Sequence, residues 1–309
     1  MRFQIALSVV LTALCFMAPG YIVCKMGKAK ASHLPTLSGL LLSVGTPFMV
    51  ISAFLDLPKG GGYLADMGLF FLVTLILQAL FFLLIFFVTG ASRHKARRMI
   101  AIGATCGNVG FFGIPVVKAL LPDSPEVACY AICFTVSMNV LVFTLGVFCL
   151  TGDKRYISLR SALCNPTMFG LAIGLPLYLS GLGASLPSFL DSSVRTLGAL
   201  TTPLCMFILG IRLASMPLSR IFSQKYSYLI CLFKLALFPL LCYGVLLPFS
   251  LPFSFSACLV ILASTPCAAV ILSLAELHHS EEQLSASALI TSVLLCLVTI
   301  PLISLLVFR

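Results

Sequence analysis

Two short stretches carry residues that are out of place in the middle of apolar runs. The first is Thr105-Cys106-Gly107-Asn108-Val109-Gly110-Phe111-Phe112-Gly113-Ile114-Pro115, where three glycines, an asparagine and a proline fall within nine residues. The second is Ser264-Thr265-Pro266-Cys267-Ala268-Ala269. In a helix interior Gly costs about 1 kcal/mol and Pro about 3, and an unpaired backbone group in hydrocarbon costs several more. Such stretches survive only inside protein or along a watery cavity. Each predicts a helix that breaks and restarts, leaving unpaired N–H groups and a positive dipole end at the restart. Near Asn108–Gly110 and Pro266–Ala268, two such ends would bind an anion, a carboxylate by choice, without any charged side chain. Asn108 offers a donor and an acceptor, and Thr105, Ser264 and Thr265 add hydroxyls. The candidate substrate-binding set is therefore Asn108, Gly107, Gly110, Thr105, Ser264, Thr265, Pro266 and Cys267. A bland alternative is a pair of Gly/Pro kinks that ease packing.

Charge within apolar runs is the second signal. With the interface near Tyr226 and Tyr228, Lys234 lies roughly 9–13 Å inside at about 1.5 Å per residue, so both a snorkelling ammonium and a functional counter-charge fit. Gln78 and Asn139 are further polar residues in apolar runs, Gln78 as a support and Asn139 chiefly as a helix–helix hydrogen-bonding group. Lys118 and Glu276 sit near the ends of their runs and read as snorkelling. No Walker loop, HExxH, GxSxG or Rossmann fingerprint occurs, so no standard enzyme chemistry, no cofactor and no metal site is expected. All four histidines (His33, His94, His278, His279) fall in loops, and the adjacent pair reads as a solvated turn.

The elements that must hold these residues are membrane spans. Hydrophobic residues make up 60% of the 309 and charged residues only 9%, with a mean hydropathy of +1.14, whereas soluble domains carry about a quarter charged residues. Apolar windows fall at about 4–24, 35–55, 66–89, 98–121, 125–150, 162–183, 194–216, 226–249, 254–277 and 284–308, each near the roughly 20 residues that a span needs. The net charge of +10 does not mark a nucleic-acid binder, because the basic residues cluster between windows. Odd-numbered loops hold Lys25, Lys28 and Lys30, then Arg93, Lys95, Arg97 and Arg98, then Lys154, Arg155 and Arg160, then Arg220 and Lys225, while even-numbered loops hold little beyond Lys59 and Arg195. The positive-inside rule then places both termini outside the cytoplasm of a multi-pass cell (inner) membrane protein. Basic residues follow the first window, which therefore reads as a span rather than a leader peptide. The thirteen cysteines, without a CxxC pair, read as small packing residues.

The chain also repeats itself. Pro19-Gly20-Tyr21 recurs as Pro176-Leu177-Tyr178 (offset 157), Thr46-Pro47 as Thr202-Pro203 (156), Ala104-Thr105 as Ala263-Ser264 (159), and Ser124-Pro125-Glu126 as Ser280-Glu281-Glu282 (156). Four matches in order at nearly one offset imply two halves, residues 1–150 and 162–309, joined by a short cytoplasmic linker at 151–161. Lys118 meets Glu276, and Lys234 meets Gln78, at the same spacing. Five windows per half force the second half to enter the membrane from the opposite side. The expected fold is an all-α polytopic membrane protein of ten transmembrane helices in two inverted five-helix repeats, with broken, crossed helices four and nine.

Residues 107–115 resemble the G-N-x-G-F-x-G-x-P stretch of the auxin efflux carrier family of permeases, and Lys234 to Pro239 resembles that family's basic-x4-Pro element. Thr202-Pro203 with Leu209-Gly210, and Thr265-Pro266-Cys267-Ala268-Ala269, also fit. The resemblance implies a scaffold of spans one, two, six and seven, with Pro47 and Pro203 as kinks facing a transport domain of the other six. It implies a secondary transporter, a permease for a small mono- or dicarboxylate working by alternating access, with the short central loop of the compact bacterial members. Asn108 stands where the second half has Pro266, a departure from a symmetric proline crossing. Expected partners are the organic anion, the lipid bilayer and a second copy in a homodimer. The alternatives are a sodium-coupled symporter of the bile-acid type, for which windows four and nine are poor in acidic ligands, and a membrane sensor.

Overall fold

The computed structural model describes residues 2–60, 62–91 and 94–309; Arg93 and the Lys154 side chain, counted above among the basic loop residues, lie outside that description. The principal helices in chain order are α1 (Arg2–Lys25), α2 (Ala31–Leu55), α3 (Tyr63–Val88), α4 (Lys95–Thr105), α5 (Val109–Leu120), α6 (Val127–Thr151), α7 (Pro166–Ser180), α8 (Ser188–Ser215), α9 (Lys225–Leu246), α10 (Phe253–Ala263), α11 (Ala269–Leu277) and α12 (Glu282–Val307). Seven of them (α1, α2, α3, α6, α8, α9, α12) are long and apolar enough to cross a bilayer. Windows four and nine are each split, into α4/α5 and α10/α11. The sixth window yields only the 15 residues of α7, because Asn165 caps Met168 N–H at 3.1 Å, Pro166 starts the helix, and Gly181 at φ 72° ends it.

The helices are apolar on more than one face. On α3, Leu72, Ile76, Leu80, Leu83 and Phe87 face outward while Phe70, Leu77, Phe81 and Ile85 are buried, the pattern of a helix with protein on one side and lipid on the other. Phe70 stacks on Tyr130 at 4.5 Å and meets Phe255 edge-on at 4.8 Å, joining α3, α6 and α10. α10 is buried almost all round, so the break at its end lies in the protein core.

Where lipid offers no hydrophobic force between helices, small residues that admit a close backbone govern packing. A Cβ on Gly20 of α1 would collide with the Phe207 carbonyl of α8, and one on Gly210 of α8 with the Met17 carbonyl of α1. Gly170 of α7 likewise lies on the Pro47 carbonyl of α2, 2.7 Å from an added Cβ. No rotamer change relieves a clash with backbone. Gly210→Ala is therefore expected to lower stability by about 1–3 kcal/mol, seen as a fall in melting temperature, whereas Gly244→Ala, with nothing within 4 Å of the new methyl, should hold it or raise it slightly.

Prolines shape three further helices. Wide, π-type turns at Leu41–Gly45, Val109–Gly113 and Phe233–Leu237 come just before Pro47, Pro115 and Pro239. They absorb the missing N–H and the ring's collision with the previous turn.

Lys118 and Glu276, expected to snorkel, are about half exposed and also pair. Lys118 binds Asp56 at 2.9 Å, Arg195 binds Asp56 and Asp191, and Arg212 of α8 binds Glu276. For Asp56, burial acts to raise the carboxyl pKa, but the hydrogen bonds and charges of Lys118 and Arg195 outweigh it and hold it below the usual aspartate value. A depressed folded value stabilises above the unfolded pKa, about 3.9, and the contribution is lost as pH falls through the folded value. The melting gap between the parent and Asp56→Asn should therefore hold from neutral pH down to about pH 4 and close below it.

Candidate functional site

Cys106–Asn108 and Pro266–Ala268 run as short extended segments, side by side and antiparallel, with Gly107 opposite Cys267. Asn108 N–H donates to the Pro266 carbonyl at 2.7 Å, and Ala268 N–H to the Cys106 carbonyl at 3.1 Å. Cys267 N–H donates to Ser292 Oγ of α12 at 3.0 Å. Each break thus satisfies groups released by the other, as hydrocarbon surroundings demand.

This pairing changes which donors remain. The amides of Asn108, Cys267 and Ala268 are spent on protein, whereas among the described residues Gly110, Phe111, Ala269 and Val270 find no acceptor for theirs. These four line a cavity of about 140 Å³, together with Gly107, Asn108 and Ala268. Asn165 and Pro166, at the start of α7, line it too, so three helix N-termini (of α5, α7 and α11) converge on one space. Leu42, Met49 and Val50 of α2 and Ile132, Met138 and Phe143 of α6 form apolar walls. No acidic or basic side chain among the described residues lines it.

Asn108 is 4% exposed, and the one side-chain hydrogen bond it makes among the described residues is a long one, Nδ2 to Cys205 Sγ at 4.0 Å. Asn139, 7% exposed, lines the same cavity; the helix–helix hydrogen bond expected of it is absent among the described residues. Both side-chain amides border the cavity and keep donors and acceptors for what occupies it. Gly107 and Gly110 also line the cavity. Thr105, Ser264 and Thr265 do not: their hydroxyls donate to Ala101, Ile261 and Leu262 carbonyls at 2.8, 2.7 and 2.7 Å. Pro266 and Cys267 act through backbone in the crossing. Pro47 lies behind the α2 wall, and Pro203 faces a separate cavity beside Pro115.

Lys234 is fully buried, so it does not snorkel. Its Nζ donates to the Ala263 carbonyl at 2.6 Å, at the negative C-terminal end of α10, and lies 4.9 Å from the Phe238 ring centroid. A Cβ on Gly107 would come within 2.9 Å of that Nζ, which puts the ammonium against the crossing, although it does not line the cavity. Gln78 donates to the Thr74 carbonyl and to Ser137 Oγ at 3.1 and 2.8 Å, a seam between α3 and α6. Met49, Thr135, Asn165 and Thr167 were not anticipated at the site. The Asn165-Pro166 pair, a helix-start signature, was the available signal for the third N-terminus.

The model of the family described as membrane transport protein matches residues 5–159 and 154–304. The chain belongs to that family. It is the family of auxin efflux carrier permeases that residues 107–115 resemble, a family of transporters rather than of enzymes, and the seven long apolar helices agree with a multi-pass membrane protein. No curated protein compared with the chain matches it. In this membrane transport protein, the crossing and its cavity are the candidate substrate site.

Proposed function

We propose that the chain carries a small organic anion across the membrane by alternating access, and that a monocarboxylate with an apolar body suits it best. Support comes from one cavity in which three helix N-termini and the free amides of Gly110, Phe111, Ala269 and Val270 meet the side chains of Asn108 and Asn139. Fixed amides and dipole ends favour one carboxylate. The walls of Leu42, Met49, Ile132, Met138 and Phe143 favour carbon, not a second charge, beyond it.

The protein would make ten crossings in two inverted five-helix repeats, residues 1–150 and 162–309, with both termini outside the cytoplasm. Helices α1, α2, α7 and α8, joined through Gly20, Gly210 and Gly170, would serve as the scaffold past which the crossing moves.

A melting screen of purified protein tests this, since a ligand that binds only the native state raises apparent stability. Apolar monocarboxylates should raise the melting temperature in a saturable way, dicarboxylates less, and the matching neutral amides not at all. Equal shifts from acid and amide would remove the anion assignment.

A further inference from the structure

Two vestibules flank the central cavity, and α2 divides each from it. Met49 lines both the cavity and a space of about 400 Å³ that reaches Lys118 and Arg195. Leu42 lines both the cavity and a space of about 860 Å³ that reaches Arg212 and Glu276. Leu42 and Met49 are seven positions apart, about 10 Å along a helix. The second vestibule is bounded by residues next to basic loops, such as Ala31 and Arg220, and the first by the opposite ends of the helices.

Lys118 in the first vestibule and Glu276 in the second each end an ion pair to a neighbouring helix, although Asp56, unlike Arg212, is also shared with Arg195. Asp56, at the end of α2, pairs with Lys118 near the end of half-helix α5; Arg212, in the last turn of α8, pairs with Glu276 near the end of half-helix α11. The repeat relates them: Asp56 plus 156 is Arg212, and Lys118 plus 158 is Glu276. The acid and the base have exchanged places between the two copies. One pair therefore ties α2 to the outer end of α5 on one face, and its charge-reversed copy ties α8 to the outer end of α11 on the other.

We propose that these two pairs are opposed latches, each closing one vestibule by fastening the crossing to the α1–α2–α7–α8 group, and that movement of the crossing opens one while the other holds. Both are closed in this structure, with the cavity between them. The geometry suits release because one member of each pair reaches water. Lys118 is about half exposed and Glu276 nearly so (52% and 43%), while Asp56 and Arg212 are deeper (25% and 11%), so the exposed partner can exchange its bond for water. The latches concern how the transporter proposed above would move, and they rest on that reading for their purpose only.

Cysteines added at Ser52→Cys, in the first vestibule, and Ser38→Cys, in the second, report opening by modification with a membrane-impermeant thiol reagent on protein in lipid nanodiscs, read site by site by peptide mass spectrometry to separate them from the thirteen native cysteines. No substrate is needed. Asp56→Asn should raise modification at position 52 and lower it at position 38, each by about two- to fivefold, and Arg212→Gln should do the reverse. The double swap Arg212→Glu with Glu276→Arg should restore the parent pattern. Unchanged modification at both positions would overturn the proposal, and so would a joint rise at both, which marks the pairs as staples of the whole fold. If no carboxylate binds the parent, the substrate assignment falls while the opposed pattern still stands or fails by itself.

Discussion

Alanine at Asn108 is expected to weaken carboxylate binding by about 10- to 100-fold while leaving the melting temperature of the free protein near that of the parent. The size follows from losing one hydrogen bond to a charged group, about 1.5–3 kcal/mol. The retained fold follows from what the side chain does without a guest, since its one hydrogen bond among the described residues is a long one to Cys205 Sγ at 4.0 Å. The backbone that holds the crossing is untouched: Asn108 N–H still reaches the Pro266 carbonyl, and its own carbonyl still accepts from Phe112 and Gly113. Its φ of −77° and ψ of 60° suit alanine without strain in φ. Asn139→Ala should weaken binding in the same direction. Thr105→Val should not, because that hydroxyl is already committed to the Ala101 carbonyl. Titration calorimetry of the three variants beside the parent checks the series. Parent-like affinity in Asn108→Ala would take the site away from this cavity.

The contrast between Asn108 and Thr105 marks how far the sequence could be read. Composition and window lengths suffice for a membrane bundle, because hydrophobicity along the chain is a one-dimensional property. The breaks were legible as well: Gly107, Gly110, Pro115 and Pro266 are costly in any helix interior, whatever surrounds it. Pairing across the crossing was not. That Asn108 and Ala268 spend their amides on each other's strand while Gly110 and Ala269 keep theirs depends on how two distant segments lie together. Side-chain direction is equally hidden. Thr105, Ser264 and Thr265 flank the breaks in the chain, yet helix geometry returns each hydroxyl to a carbonyl three or four residues back. Lys234 was ambiguous for the same reason: depth from the interface was readable, but the Ala263 carbonyl that holds it comes from another helix.

The glycines of the fourth window separate in the same way, and they give the second large effect. Gly107→Ala should destabilise the protein by about 3 kcal/mol, at the upper end of what overpacking costs. Its new methyl would collide with Thr265 Oγ1, which is pinned to the Leu262 carbonyl at 2.7 Å, and would press Lys234 at 2.9–3.0 Å. Relief requires Thr265 to give up that bond and Lys234 to draw back from the crossing, or the paired segments to part, and each leaves polar groups unsatisfied in the membrane interior. Gly110→Ala behaves oppositely. Its methyl would meet Met49 Cε at 3.5 Å and Thr135 Oγ1 at 3.9 Å, ordinary contacts, both with residues of the cavity wall. In a helical turn, alanine is preferred over glycine by up to about 1 kcal/mol, so melting should hold or rise slightly. Carboxylate binding should nevertheless fall, because the methyl takes up space beside the free amides. One glycine is needed for the fold and the other for the guest. Paired melting curves and titrations read both at once, and a Gly110→Ala protein that binds at full strength would mean that the ligand lies elsewhere.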